Sequence, residues 1–598
     1  MVGLSAANAQ TPTTTPTPAA PVVVPTATPD VSIISPTATP PPAVVPGATP
    51  IPIRITPPAD LPNEPPPVAP NFEAPIRPLP SAERVGVDMA NQLSLTLEEA
   101  IELALRNNNN IDASRNSVQI AEFNLRGARG IYDPLIEGES YYDSTSTPTA
   151  STIGGAVNGS VTQTRYFGSA GLSGFSPWAG GSYALRFDAA RSSTTNTNAT
   201  LNPQFPALFT ATYTQPIFRN RSFDNQRRLI EIAKKNLSLS DSQFRQQAIE
   251  VIAQVEQAYW NLAFALRFFS VQIDAVKQAR AQLESNQRQV AKGVLAPIEI
   301  VAATGQIATF EQNVYTAQEG VTRAENTLKA LMLPDRAATE WSRPITPVSP
   351  INLDPPQVGL EIAIAEALKG RQEIAQFDAS EEVNKIDERF YKNQTKPQID
   401  LVTSYTSQGL AGSVAPGRAV PPNLVGGFGT SLGNLISQDY PSYRVGVQIS
   451  LPWGNTIAKA NLGRTLAEGT RLQNQRAQAE QTIESEVRNA LQALRSSEAA
   501  VQAAAASRAA AEQLYDSEQR QFKAGTTTFY LVLQRQDELL QARSRELLAQ
   551  TNLNKAISEF QRSTGATLTA NNVTVSDGRN LLKVPSQNTA FNGKFVWK

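Results

Sequence analysis

The stretch IAQVEQAYWNLAFALRFFSVQIDAV, residues 252–276, decides the fold. Its apolar residues recur every three or four positions: Ile252, Val255, Tyr259, Leu262, Leu266, Phe269, Ile273 and Val276. This spacing places one apolar seam along a helix and predicts partner helices on that seam. The helical pattern extends over 222–292, and a helix of roughly 70 residues is about 105 Å long. Ordinary globular domains have far shorter helices, which indicates that this helix spans a distance.

The long stretch occurs twice in the chain. QRQVAKG at residues 287–293 is echoed by QRQFKAG at 519–525, and LEEAIELAL at 97–105 by LEIAIAEAL at 360–368. Self-similarity of this kind is the signature of a repeat architecture. The chain is therefore interpreted as a tandem duplication in which each repeat has a helix, strands, a long helix and a second helix.

This order divides the chain into six segments. Repeat one is expected at 93–334 and repeat two at 357–566, with a Pro-rich connector at 335–356. Residues 1–10 are interpreted as the remnant of an export signal, because Ala7-Asn8-Ala9 resembles a signal-peptidase site; a chance Ala-rich start is the alternative. Residues 11–90 are expected to form a disordered Pro/Thr-rich linker, and 567–598 a polar C-terminal tail.

Composition restricts the function. The chain has 598 residues, and its 52 Lys and Arg nearly balance 53 Asp and Glu, so no nucleic-acid partner is expected. It contains neither Cys nor His, which excludes disulfides and thiol catalysis and removes the commonest general base and metal ligand. No enzymatic activity and no cofactor or metal are therefore expected. No apolar run is long enough to predict a transmembrane helix.

Alternating stretches before each long helix predict strands. Tyr443, Val445, Val447, Ile449 and Leu451 alternate with polar or small residues over about the length that crosses a bilayer. Few strands cannot close a barrel, and open edges are not tolerated in lipid, so copies must pool their strands. A homo-oligomer in contact with outer-membrane lipid is expected; a water-soluble coiled-coil protein with an ordinary sheet is the alternative. Residues 165–175 and 182–191 predict an extra hairpin, and the sequence leaves open whether it joins the barrel.

The chain resembles the TolC family of outer-membrane channels over about residues 93–566. The marks are LEEAI at 97–101, TQPIF at 214–218, QFKAGT at 521–526 and above all the repeated order of elements. The resemblance implies an α+β membrane protein, a trimeric outer-membrane β-barrel continuous with a long periplasmic α-helical barrel, built from two tandem repeats per chain. The implied function is the exit duct of a tripartite efflux pump or type I secretion system, with a periplasmic adaptor protein and an inner-membrane pump as partners. A periplasmic coiled-coil adaptor or scaffold is the alternative.

The resemblance also points to site residues near the two hairpin tips. Positions matching the adaptor-contacting tips of such channels are Gly293, Val294, Leu295, Ala296, Pro297, Gly525, Thr526, Thr527 and Thr528; a plain hairpin turn is the alternative. A periplasmic gate would use Glu299, Phe529, Tyr530, Leu531 and Gln534. Family members often have acidic residues where this chain has Leu531 and Gln534, so an acidic gate is not expected there. Glu299 is the nearest comparable carboxylate, unless it is only a solvated residue at a helix start.

Overall fold

The computed structural model describes residues 78, 80, 81, 83–150, 152–156 and 158–574. The expected export-signal remnant, most of the Pro/Thr-rich linker and most of the C-terminal tail lie outside these residues.

The first half of the chain contains four of the helices and five of the strands described below. In order, these are β1 (Leu93–Leu95), α1 (Leu97–Asn107), α2 (Asn109–Arg129), β2 (Leu135–Pro148), β3 (Ser160–Phe175), β4 (Ser182–Thr194), β5 (Leu201–Pro216), α3 (Asn225–Ala291) and α4 (Ile298–Met332). The helix expected from Thr96 is divided at Asn108, whose backbone is extended and whose side chain accepts a hydrogen bond from Asn110 N. Thr96 forms the predicted N-cap, reinforced by Glu99 in a capping box.

The second half follows a similar order. A short strand in the connector, β6 (Ile345–Pro347), precedes α5 (Leu360–Gly370), α6 (Gln372–Gln394), β7 (Gln398–Val414), α7 (Phe428–Ile436), β8 (Tyr440–Ser450), α8 (Thr456–Lys523), α9 (Phe529–Ser563) and α10 (Thr567–Ala570). The pairs α1/α2 and α5/α6 occupy equivalent places, as do α3 and α8. The halves differ in their strands, because β2, β3, β4 and β5 of the first half correspond to only β7 and β8 of the second.

Helices of matched length stand side by side. The long helices α3 and α8 have 67 and 68 residues, and α4 and α9 have 35 each. Toward the strands, α2, α3, α6 and α8 pack in that order, and toward the other end α3 pairs with α4 and α8 with α9. Asn107 Nδ2 donates to Met332 O, which joins the end of α1 to the end of α4. Two shorter helices in succession therefore run beside each long one.

The long strands form one antiparallel sheet of six, in the order β2-β3-β4-β5-β7-β8. The hairpin that the sequence left unplaced is β3 and β4, and it lies inside this sheet. Arg186 of β4 is in register with Gly171 of β3 on one side and Thr210 of β5 on the other. The extra hairpin is thus fully paired, which the sequence could not reveal because its outer partners are distant strands.

A second layer covers the middle of the helical part. β1 and β6 pair in parallel, and the phenolic oxygen of the buried Tyr259 on α3 donates to Leu95 O and accepts from Ser349 N. The seam residues Ile252, Val255 and Leu262 are also fully buried in this region. The apolar seam that predicted partner helices therefore packs against α1 and the strand pair as well.

The helix α7 lies on the sheet beyond the start of β8. Asn434 Nδ2 donates to Leu410 O, and Ser407 Oγ donates to Leu435 O. A Cβ atom on Gly409 would lie 2.0 Å from Ser431 O, so glycine is needed for the helix to approach this closely. Its apolar Phe428 and Ile436 remain exposed on the opposite side.

Candidate functional site

The six-stranded sheet has two chemically distinct faces. The apolar face carries, in register across neighbouring strands, Leu172, Leu185, Phe187, Phe209, Tyr213, Leu401, Tyr443, Val445, Val447 and Ile449. On β8 these side chains are largely exposed, with Tyr443 at 73% and Ile449 at 68%. An apolar face that remains open to its surroundings across a whole sheet is what contact with lipid acyl chains requires.

The polar face carries the charges. They are Glu137, Glu139, Asp143, Arg165, Arg186, Asp188, Asp400 and Arg444. Arg186 Nε donates to Asp188 Oδ1 at 2.7 Å, and its Nη2 lies 3.9 Å from Glu139 Oε2. Sequence analysis did not single out these residues, although the alternation in the segment LIEGES, residues 135–140, contains the signal.

The polar face is concave. Side chains of four adjacent strands, among them Arg165, Asp188 and Gln408, line one cavity of about 540 Å³ near the sheet end farthest from the helices. A curved sheet with charge inside and apolar side chains outside is a segment of a barrel with a wet interior.

The outer strands β2 and β8 are open on one side. Within the described chain β2 pairs only with β3, and β8 only with β7. All fourteen residues of β2 are exposed, as are almost all of β8. The sheet therefore ends in two long unpaired edges, each with a row of backbone donors and acceptors.

The helical hairpins end in two matching tips. Gly293 and Gly525 have φ values of 73° and 78°, the left-handed region that favours glycine. Val294 N donates to Gln289 O, and Thr526 N donates to Gln521 O, each at 3.0 Å, so both long helices end in the same capping motif. The predicted tip residues Leu295, Ala296, Pro297, Thr527 and Thr528 complete the two turns.

The first tip also presents an apolar strip. Val294 is 74% exposed, and Ile298 and Val301 on the first turn of α4 are 66% and 64% exposed. Their spacing places them on one side of the hairpin. Sequence reasoning named Val294 but missed Ile298 and Val301, whose exposure depends on which face of α4 packs against α3.

The predicted gate residues separate into two environments. Phe529 is 1% exposed and packs with Val532, Ala303 and Phe522 in the core of the tip region, so its side chain does not line an opening. Tyr530 is 71% and Leu531 37% exposed, and Gln534 donates from Nε2 to Glu538 Oε1. Glu299 is half-buried in the first turn of α4. Phe529 is therefore a packing residue, and Glu299, Tyr530, Leu531 and Gln534 remain available to a lumen.

A buried carboxyl group lies midway along α3. Glu256 is 3% exposed, and its Oε1 accepts a hydrogen bond of 2.9 Å from Asn571 Nδ2. Burial raises the pKa of Glu256, and the bond from Asn571 opposes that shift only in part. Among the described residues, no group of three or more His, Cys, Asp or Glu is placed to hold a metal ion.

None of the helices in the described ranges is long and apolar enough to cross a membrane.

Comparison with a family model gives a match in both repeats. The model, described as outer membrane efflux protein, matches residues 183–332 and 363–566, which is more than half of the chain. The comparison with curated proteins gave no match.

Solved structures share the fold at low sequence identity. The CmeC outer membrane channel of Campylobacter jejuni is 15% identical, with a TM-score of 0.55 over 79% of this chain and 86% of that one. The open-state MtrE outer membrane channel of Neisseria gonorrhoeae is 18% identical, with a TM-score of 0.54 over 79% and 89%. The outer membrane protein VceC of Vibrio cholerae is 15% identical, with a TM-score of 0.53 over 78% and 96%.

Proposed function

The chain belongs to the outer membrane efflux protein family, and on that premise we propose that three copies assemble into one channel through the outer membrane and periplasm. Family membership makes the chain an outer-membrane efflux channel rather than a periplasmic adaptor or scaffold. In the proposed trimer the sheets close one β-barrel, and the helices form one tunnel that continues it. The channel acts as a passive exit duct with no chemistry of its own.

The observation that carries this proposal is the open-edged sheet with one apolar and one charged face. In lipid every backbone donor and acceptor needs a partner, so the free edges of β2 and β8 require strands from outside the chain. Pairing β2 of one copy with β8 of the next satisfies both edges at once and closes a ring. Six strands from each of three copies make a barrel of 18 strands.

The strand number bears on the cargo. The resembled family has two strands per repeat, which would give 12 strands in a trimer. Barrel diameter grows roughly linearly with strand number, so 18 strands give a barrel about 1.5 times as wide. Barrels of 16–18 strands leave an aqueous channel. We infer a wide, charged outer pore in this channel.

At the other end, the two tips dock with a periplasmic adaptor that links the channel to an inner-membrane pump. The proposed contact residues are those of the two turns, 293–297 and 525–528, extended by the exposed Ile298 and Val301. Apolar side chains exposed on a rigid hairpin are typical of a protein interface. Glu299, Tyr530, Leu531 and Gln534 form the proposed constriction beside these tips.

Cross-linking tests the proposed assembly, since the chain has no cysteine of its own. Single Cys residues are placed at Ser140 in β2 and, in turn, at Arg444, Gln448 and Ser450 in β8. Oxidation in isolated outer membranes is expected to yield covalent dimers and trimers for one register. The control pair at Ala184 and Thr212, in register within the chain, should yield only intramolecular bonds. If no β2–β8 register yields covalent oligomers, the proposal is wrong.

A further inference from the structure

A cationic pocket lies where α3 and α6 meet the sheet. Its volume is about 450 Å³, and its lining residues are Ser222, Phe223, Arg227, Glu231, Arg389, Lys392, Asn393 and Lys396. Four of these are cations and one is an anion. Asp224, directly behind Arg227, supplies a second carboxylate. The pocket therefore keeps a net charge of about +2.

Two of the cations are fixed in place. Arg389 Nη2 lies 2.6 Å from Glu231 Oε2, and its guanidinium carbon is 3.6 Å from the centroid of the buried Phe223 ring. Arg227 Nη1 donates to the carbonyl oxygens of Arg221 and Ser222. Its Nη2 is buried without a hydrogen-bond partner in the described chain, 3.5 Å from Asp224 Oδ2. A buried donor in this state favours an additional acceptor in the pocket.

The other two cations are free. Lys392 and Lys396 are exposed, and neither has an acidic partner among the described residues. The wall between them is rigid, because Asn393 accepts from Asn220 N through Oδ1 and donates to Ser222 Oγ through Nδ2. The pocket thus combines ordered walls with two ammonium groups that can close on an anion.

The position of the pocket along the molecule suggests which anion it binds. β7 begins at Gln398, and its first apolar-face residue, Ile399, pairs with Ile449. Lys396 precedes Ile399 by three residues, about 10 Å of extended chain. The pocket therefore lies at the helix-side border of the apolar band. In a bilayer that border is the headgroup layer of the periplasmic leaflet.

The pocket also lies on the outer side of the helical wall. Arg227 precedes Ile252 on α3 by 25 residues, close to seven whole turns, so both side chains share one face. Ile252 faces the layer that contains α1 and β1. That layer is on the outside of the proposed channel, because inside it would fill the lumen. The pocket consequently opens toward the membrane surface.

We propose that this pocket binds the phosphate headgroup of an anionic phospholipid in the periplasmic leaflet, with Arg227, Lys392 and Lys396 as its ligands. The proposal rests on the channel orientation given under Proposed function. Guanidinium and ammonium groups together match the charge and hydrogen-bond acceptors of a phosphodiester. Basic pockets at membrane borders bind lipid headgroups by the same chemistry.

Native mass spectrometry of the detergent-solubilised oligomer with dioleoyl phosphatidylglycerol tests the site. The double variant Lys392→Gln/Lys396→Gln is expected to bind this lipid about tenfold more weakly. Its matched control is Lys292→Gln/Lys523→Gln, which removes the same charge at the far tips and should bind like the parent. Equal lipid retention in both double variants would overturn the proposal.

Two further arms make the result specific. Inorganic phosphate, added as a competitor, should not displace the lipid at millimolar concentration; displacement would identify a free-phosphate site instead and overturn the lipid assignment. If the double variant does not assemble, Lys396→Gln alone provides the test, because Lys396 has no partner to lose. An intact cross-linked oligomer without lipid preference overturns only this inference, whereas loss of the β2–β8 cross-links in the parent overturns the channel itself.

Discussion

Lys329 Nζ lies 2.5 Å from Glu325 Oε1 one turn earlier on α4, and each side chain is only 1% exposed. Two further segments join this pair. The guanidinium of Arg84, from the segment before β1, pairs with the other oxygen of Glu325. Lys329 also donates to Trp341 O of the connector. The buried cluster therefore ties the start of the first repeat and the connector to the hairpin helix.

Replacing Glu325 is expected to be strongly destabilising. Glu325→Gln leaves two buried cations without their anion, which costs about 3–5 kcal/mol in the free energy of unfolding. Glu319→Gln is the matched control, because Glu319 forms an equivalent pair with Arg323 on the same helix while 67% exposed. Its loss should cost less than about 1 kcal/mol. Thermal unfolding followed by circular dichroism measures both, and similar Tm values for the two variants would refute the role of the cluster.

The approach of α7 to the sheet is testable at one glycine. Gly409→Val pushes a side chain into Ser431 O, so the helix must move, at a cost of about 1–3 kcal/mol. Gly429→Ala on α7 meets nothing within 4 Å and should be neutral or stabilising. The expected readout is faster tryptic cleavage at Arg418, in the preceding loop, in the valine variant only. Unchanged cleavage in Gly409→Val would show that α7 does not dock there.

Stability should depend on pH through Glu256. Because its pKa is raised on folding, the neutral form favours the folded state, and the charged form lowers stability as pH rises above the ordinary value of 4.5. Glu256→Gln, which can still accept from Asn571, should therefore raise the Tm at pH 8 and lose this advantage toward pH 4.5. Glu284→Gln, at an exposed position of the same helix, should give no such trend. A constant Tm difference across this range would contradict the assignment.

Ion selectivity tests the proposed constriction. Glu299 is its one acidic member, so Glu299→Gln should lower the cation preference of single channels in a planar bilayer. Glu361→Gln on α5, away from the tips, removes the same charge and should leave the preference unchanged. Equal selectivity in the parent and Glu299→Gln would remove Glu299 from the constriction and leave Tyr530, Leu531 and Gln534.

The periodic elements could be predicted from sequence, because their patterns are local. The seam through Ile252 and Val255 identified α3, and the alternation from Tyr443 to Leu451 identified β8. Tip glycines were predicted because a left-handed turn selects for glycine, as Gly293 and Gly525 show. These features each depend on the chemistry of a few consecutive turns or strand residues.

Other features depend on contacts between distant segments. The three-residue strands β1 and β6 are too short to carry a period, and α7, with the sequence FGTSLGNLI, contains glycines and lacks a side-chain cap. The place of β3 and β4 in the sheet depends on pairing with β2 and β5. Phe529 was predicted at the gate because it adjoins the tip, yet the pairing of α8 with α9 turns it into the core.

The strand count of the assembled barrel tests the account most directly. A cryo-EM reconstruction of the detergent-solubilised oligomer is expected to show three copies around one pore, with β2 of each copy paired to β8 of the next and 18 strands in the barrel wall. A closed barrel of 12 strands, with β3 and β4 outside the wall, would contradict the account, as would an oligomer in which the edges of β2 and β8 remain unpaired.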